Sequence, residues 1–328
     1  MPPIATITTE ALFETPGPHL DIFSAAGFAV RYPKKSPPIT EADTIEAVGQ
    51  SQAVLAGSEP YTRKVLENLP TLRVISRNGV GYDRIDLAAA SDHNIAVTIT
   101  PDANFEAVAE HTFALLLAVA RRVPLCDRDM KADLWKRGVP FRALRGRTLG
   151  IVGLGRIGRA VAKRAAAFGM VLVAHDILAD AAHAASLGVE LTSCDELFAR
   201  SDFVSLHAPH TPETNCLINA RTLGLMKSGA ILVNTSRGGL VDEAALCDAL
   251  VSGHLAGAGL DVFAVEPPPA SQLLSLDNVV VSPHVAALDE QAVVDMSVGA
   301  ARNIVELYSG RMPAACLVNT AVRDTWRW

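Results

Sequence analysis

The sequence predicts an α/β protein with two doubly wound parallel sheets. Short apolar runs alternate with helical stretches from residue 148 onward, and a second series of the same kind fills the first hundred residues. Runs that are apolar throughout and separated by helices are the pattern of strands covered on both faces of a parallel sheet. The length of 328 residues suits two domains of about 150 residues each.

In the first series AVLAG (53–57), LRVISR (72–77) and IAVTIT (95–100) read as strands. TPDANFEAVAEHTFALLLAVARRV (100–123) then reads as one long helix, starting near Pro101 and Asp102 and placed to link the two series. In the second series the strands are TLGIVGL (148–154), VLVAHD (171–176), DFVSLH (202–207), AILVNT (230–235), GAGLDVF (257–263) and NVVVS (278–282). RIGRAVAKRAAAFG (156–169) is a helix stopped by Gly169, and DEAALCDALVSG (242–253) is a helix that Asp242 is placed to cap. The stretch EQAVVDMSVGAARNIVELYSGRM (290–312) is amphipathic, ends at Gly310, and is placed to pack back on the first domain.

Composition narrows the function classes. Apolar residues at 49% and charged residues at 20% are those of a globular protein with a sizeable core, not of a disordered chain. A net charge of −6, with Lys and Arg scattered, offers no footprint for nucleic acid. The five cysteines are dispersed without a CxxC or CxH pair, which points to reduced thiols in a cytoplasmic protein and to no metal site. The opening MPPIATITTE lacks a charged region followed by an apolar one, so a secretory signal is not expected. FALLLAVA (113–120), flanked by His111 and Arg121, is too short to span a bilayer and reads as a buried helix, so no membrane partner is expected.

GLGRIG (153–158) matches GxGxxG between a strand and a helix. Gly153 permits the tight turn, Gly155 lets a pyrophosphate approach the backbone, and Gly158 lets the helix pack on the strand. The helix start at Arg156 and Ile157 offers free N–H groups and partial positive charge to phosphates. Asp176 follows at about the 20-residue distance of a ribose-binding carboxylate. Ile177 and Leu178 supply no cation for a 2′-phosphate, so NAD is expected rather than NADP.

The blocks NGVGYDRIDLAAA (78–90), TLGIVGLGRIGRAVA, NTSRGGLVDEAAL (234–246), AGLDVFAVEPPP (258–269) and SPHVAAL stand in this order. With them the chain closely resembles the D-isomer-specific 2-hydroxyacid dehydrogenases over roughly residues 50 to 320. The resemblance implies a discontinuous, flavodoxin-like substrate domain from residues 1–102 and 287–328. A Rossmann-type NAD domain, 103–286, is inserted into it, in a homodimer paired through the nucleotide domain. It also implies a catalytic trio at Arg237, Glu266 and His284.

Each member of the trio makes local sense. Arg237 follows a strand and precedes Gly238 and Gly239, at a carboxyl end of the sheet, where a guanidinium can grip a 2-oxo acid with fixed geometry. Glu266 lies between a strand and Pro267, Pro268 and Pro269, and His284 closes the last strand. In isolation an exposed loop arginine, an exposed loop glutamate and a structural histidine are the commoner cases. Three of them at successive sheet ends beside a nucleotide loop favour chemistry. Hydride transfer to a 2-oxo acid leaves an alkoxide that needs a proton, which an imidazolium can supply near neutral pH. Glu266 beside it would raise the histidine pKa and fix its tautomer, while the charge of Arg237 opposes protonation somewhat.

By the same resemblance the Val80 and Gly81 backbone holds the substrate carboxylate, with Asn78 in a variable slot. Ala208, Thr235, Ser236 and Asp261 match cofactor contacts, Asp261 toward the nicotinamide carboxamide. His210 departs from the apolar residue usual there. Phosphoglycerate dehydrogenases similar to this chain often carry an arginine after the strand matching AVLAG, where Gly57 and Glu59 stand here, and no C-terminal regulatory domain is expected. A small 2-oxo acid such as glyoxylate or hydroxypyruvate is therefore favoured, although Arg63, Arg77 and Arg84 could supply cations. The alternative is a non-catalytic NAD(H)-sensing, partner-binding protein like the family's co-repressors. Formate chemistry is disfavoured because those enzymes use glutamine where Glu266 stands.

Overall fold

In a computed structural model, residues 2–34, 37, 40–138 and 141–328 are described. They form two units: Met1–Asn104 with Leu288–Trp328, and Phe105–Ala287.

Unit 1 begins with β1 (Ile4–Ile7), α1 (Pro18–Ala25), β2 (Ala29–Arg31), α2 (Glu41–Val48), β3 (Ala53–Ala56), α3 (Arg63–Glu67), β4 (Val74–Arg77), α4 (Leu87–Asp92) and β5 (Ala96–Thr98). The five strands are all parallel in the order β2-β1-β3-β4-β5, the flavodoxin-like arrangement. Every residue of β3 is buried, which is why AVLA carries no polar face. Thr40, Thr62 and Asp86 cap α2, α3 and α4 by accepting from backbone N–H groups.

Unit 2 contains α5 (Phe105–Arg121), α6 (Val123–Lys131), β6 (Thr148–Val152), α7 (Arg156–Ala167), β7 (Val171–His175), α8 (Ala181–Ser186) and β8 (Val189–Leu191). It continues through α9 (Cys194–Arg200), β9 (Phe203–Leu206), α10 (Ala220–Leu225), β10 (Ala230–Asn234), α11 (Glu243–Val251), β11 (Leu255–Leu260) and β12 (Val279–Val281). Its parallel sheet runs β12-β11-β10-β9-β6-β7-β8, the Rossmann order extended by one strand. The order reverses between β6 and β9, and ligands of such sheets bind outside the carboxyl ends at that crevice.

The chain then returns to unit 1. In α12 (Glu290–Tyr308), Ala300, Ala301, Ile304 and Leu307 share a core with Ala5, Ile7, Leu55 and Val74. This is the expected packing of the amphipathic stretch on the first domain. Ser76 donates to the Ala300 carbonyl at 2.9 Å, pinning the helix to β4.

The structure corrects several expected boundaries. The helix expected over 100–123 starts only at Phe105, because residues 101–104 form a turn that follows Thr100, which exchanges hydrogen bonds with Gly79. It stops at Arg121, because Arg122 is left-handed (φ 52°), and a separate helix carrying Pro124 follows. GAGLDVF ends as a strand at Leu260, which leaves Asp261 beyond it, and His284 lies past the end of β12 rather than closing it. The strands β1, β2 and β8 are not anticipated by the sequence; β2 and β8 include the polar residues Arg31 and Glu190, which interrupt the apolar runs that mark the other strands. Among the described residues no helix is long and apolar enough to cross a membrane.

Candidate active site

The glycine loop follows β6. Gly153 has φ +91°, and a Cβ there would lie 2.7 Å from the Ala208 nitrogen, so the loop after β6 presses against the end of β9. A Cβ on Gly158 would meet the Gly153 carbonyl at 2.1 Å, which fixes how closely α7 approaches β6. At Gly155 a Cβ would meet nothing within 4 Å, and Gly155 caps α7 without a side-chain hydrogen bond. The backbone at the start of α7 is thus open at Gly155, which fits the approach of a pyrophosphate to a helix start. Asp176 accepts from the Leu154 and Leu178 backbone N–H groups, both at 2.7 Å, one on each oxygen. One lone-pair site remains on each oxygen for a ribose hydroxyl. Ile177 and Leu178 are 87% and 88% exposed, so the space beyond Asp176 is lined by apolar side chains. The residues present therefore fit a dinucleotide with an unphosphorylated ribose.

At the end of β10 the buried Asn234 builds the next turn. Its amide nitrogen donates to the Arg237 carbonyl at 2.8 Å and its oxygen accepts from the Ser236 N–H at 3.0 Å. The Ser236 hydroxyl donates to the Ala208 carbonyl, joining the β10 and β9 ends. Thr112 on α5 gives its hydroxyl proton to the Val108 carbonyl, so its 2.9 Å contact with Thr235 must have Thr235 donating. The Arg237 Nη1 donates to the Ser236 carbonyl at 2.7 Å. Gly238 is where two loops meet, since a Cβ there would lie 1.8 Å from the Phe263 carbonyl carbon. The Arg237 loop and the Glu266 loop are thereby in backbone contact.

Glu266 accepts from the Phe263 N–H at 3.1 Å with one oxygen and contacts His284 Nδ1 at 2.8 Å with the other. Burial alone would raise its pKa. The hydrogen bond and charge of His284, the Phe263 N–H and the charge of Arg237 outweigh burial and hold it below the ordinary carboxylate value. An ionised Glu266 can only accept, so His284 Nδ1 carries the hydrogen and Nε2 is left to hold or release a proton. The His284 side chain is 42% exposed, open to a reactant. His284 has φ +55°, a region that is uncommon for residues other than glycine. Its N–H is held by the Asp261 carbonyl at 2.8 Å. Asp261, expected as a cofactor contact, is fully buried. Its carboxylate accepts from the Ser282 hydroxyl and from the Val285 and Ala286 N–H groups. His210 donates from Nε2 to Asn215 Oδ1 at 3.0 Å and its ring lies against Gly239.

In unit 1 the Asn78–Gly81 turn follows β4. Gly79, at φ +137°, exchanges bonds with Thr100, and the half-buried Arg77 donates to the Gly81 carbonyl at 2.7 Å and the Ala56 carbonyl at 2.8 Å. Glu59 is 2% exposed beyond β3. It accepts from Tyr61 and Thr8 with one oxygen, while the other has no hydrogen-bond partner among the described residues. Burial and then the charge of Glu59 raise the Tyr61 pKa well above its ordinary value.

Sequence reasoning misses Asn234, Thr112 and Glu243, whose carboxylate accepts the Ala264 N–H at 2.7 Å. Their signal was available in part: a polar residue ending an apolar strand must find a partner when buried.

The fold and the glycine loop define a dinucleotide-binding α/β protein. Residues 113–286 match the NAD binding domain of the D-isomer specific 2-hydroxyacid dehydrogenases. The chain is 46% identical over 250 residues to the D-3-phosphoglycerate dehydrogenase of Mycobacterium bovis, covering 76% of this chain and 47% of that one. It is 43% identical over 296 residues to the glyoxylate reductase of Korarchaeum cryptofilum, covering 88% and 89%. The TT0316 protein of Thermus thermophilus superimposes with a TM-score of 0.86 at 39% identity, over 96% of this chain and 100% of that one. The chain belongs to the D-isomer-specific 2-hydroxyacid dehydrogenase family. It spans about half the length of the curated phosphoglycerate dehydrogenases it matches.

Proposed function

We propose that this chain is an NAD-dependent D-2-hydroxyacid dehydrogenase in which His284 is the general acid and base. The observation that carries the reading is the 2.8 Å bond between His284 Nδ1 and Glu266, which leaves Nε2 available at an exposed loop. The hydride accepted by the substrate C2 would come from NADH held at the glycine loop and Asp176. His284 Nε2 delivers the proton to the C2 oxygen, and Glu266 holds the ring and balances its charge. Arg237 polarises the carbonyl and grips the acid. In unit 1 the Val80 and Gly81 N–H groups are assigned to the substrate carboxylate. Gly153, Gly155, Arg156, Ile157 and Gly158 are assigned to the pyrophosphate, Asp176 to the ribose, and Ala208, Thr235 and Ser236 to the remainder of the cofactor.

A small 2-oxo acid of the glyoxylate or hydroxypyruvate type is favoured over the 2-oxo form of 3-phosphoglycerate. Beyond β3, where a phosphate would require a cation, the chain carries Gly57 and the buried carboxyl of Glu59. Consumption of NADH with a panel of these 2-oxo acids tests the reading. Tight NADH binding without turnover of any of them would replace it by the sensor. Asp176→Ala is expected to narrow the preference for NADH over NADPH by about ten- to a hundredfold, the worth of a hydrogen bond to a charged group. An unchanged ratio removes Asp176 from the ribose. A homodimer paired through unit 2 is the expected assembly, supported by the exposed Val123, Met130, Leu134 and Trp135 on and after α6. A monomeric mass by light scattering would refute it.

A further inference from the structure

His284 is held at φ +55°, a backbone conformation that is uncommon outside glycine and persists where its surroundings over-determine it. The surroundings are the Asp261 group. Its carbonyl takes the His284 N–H, and its carboxylate takes the Val285 N–H at 2.9 Å, the Ala286 N–H at 2.9 Å and the Ser282 hydroxyl at 2.6 Å. Residues on both sides of the histidine are thus tied to one fully buried side chain.

One more group reaches this cluster from a different element. His111, on α5, places Nε2 2.8 Å from the Ser282 hydroxyl and 3.6 Å from Asp261 Oδ1. The single proton of Ser282 goes to Asp261, so in the His111 contact the hydroxyl accepts and the ring Nε2 donates. The donor chain runs in one direction, from His111 through Ser282 to Asp261, and ends on the carboxylate that gathers the amides of the His284 turn. The next residue on α5, Thr112, holds the end of β10 through Thr235.

We propose that His111 is a positioning residue for His284, acting through Ser282 and Asp261. The claim rests on the dehydrogenase reading for its catalytic consequence. Its structural half, the hold of His111 on the turn at 282–286, stands apart from that reading. A chain of hydrogen bonds ending on a buried carboxylate polarises each member, and loss of the first weakens the grip of the last. A small displacement of a proton donor is enough to slow a reaction.

The test compares His111→Phe, which removes the donor, with His111→Gln, which can return an N–H to Ser282. With the best 2-oxo acid, His111→Phe is expected to lower kcat about tenfold and leave the NADH Kd within about twofold, and His111→Gln to recover most of kcat. A wild-type kcat in His111→Phe, or an equal loss in both variants, overturns the proposal. Hydrogen–deuterium exchange of the peptide over residues 282–288 gives a readout independent of turnover. The Val285 and Ala286 amides should exchange about tenfold faster in His111→Phe and near the parent rate in His111→Gln. Unchanged exchange in His111→Phe also overturns the proposal. If the parent chain turns over no 2-oxo acid, it is the dehydrogenase reading that fails, and the exchange data alone decide whether His111 sets the turn. Should His111→Phe not fold, Ser282→Ala interrupts the same chain and is expected to give the same kcat and exchange changes.

Discussion

The carboxyl ends of the two sheets are built from different materials. In unit 2 they carry polar side chains, Arg237, Glu266 and His284, and the turns of Arg237 and His284 are each fixed by a buried polar residue, Asn234 and Asp261. In unit 1 the corresponding end includes a backbone turn at Gly79–Gly81, where the Arg77 side chain donates to the carbonyls of Gly81 and Ala56. On the proposed function the contrast would separate two tasks. Moving a proton requires a titratable group, which must be aimed by its neighbours. Holding a carboxylate requires N–H groups, which any backbone supplies if the turn is right.

Three measurements can break or sharpen this contrast. If the chemistry resides in unit 2, His284→Ala lowers kcat by about 10³-fold, within the range of general acid–base catalysis, and leaves the NADH Kd unchanged. Turnover within tenfold of the parent would break the assignment. If unit 1 only grips, Gly79→Ala, at φ +137°, raises KM about ten- to a hundredfold through strain in the turn while kcat persists. A fall in kcat at unchanged KM would show that the turn takes part in more than binding. The smallest effect concerns a polar group in unit 2 outside the proposed chemistry. Burial pushes the His207 pKa down to about 3, well below the ordinary histidine value near 6.5. The unfolded chain therefore takes up a proton that the folded chain refuses, and this histidine removes stability as pH falls from about 6.5 toward 3. Chemical denaturation of His207→Gln should show a shallower acid dependence, by on the order of 1 kcal/mol between pH 6.5 and 5.5. Parallel curves would show that His207 does not stay neutral.

What was legible in the sequence follows from how local each signal is. The glycine loop lies between β6 and α7, and its spacing reports a contact among residues a few positions apart. The strands at 148–152, 171–175 and 230–234 declare themselves by continuous apolar runs. The helix end was legible to within two residues, since Pro124 follows, but the stop at Arg121 was not, because it depends on a left-handed Arg122. The polar supports were not legible for a related reason. His111 and Ser282 are 171 positions apart, and nothing about either residue names the other. Sequence patterns expose what a residue is and where it lies on its own element. Which buried polar groups satisfy one another is settled only when the strands are laid side by side.

Gly238 carries a consequence for anyone who would redesign this chain. One methyl at this codon would have to occupy space already filled by the Phe263 carbonyl. The two loops that present the guanidinium and the carboxylate can therefore be varied only as a matched pair. A mutational library can leave this position out, and a graft of either loop from a relative must bring the other with it.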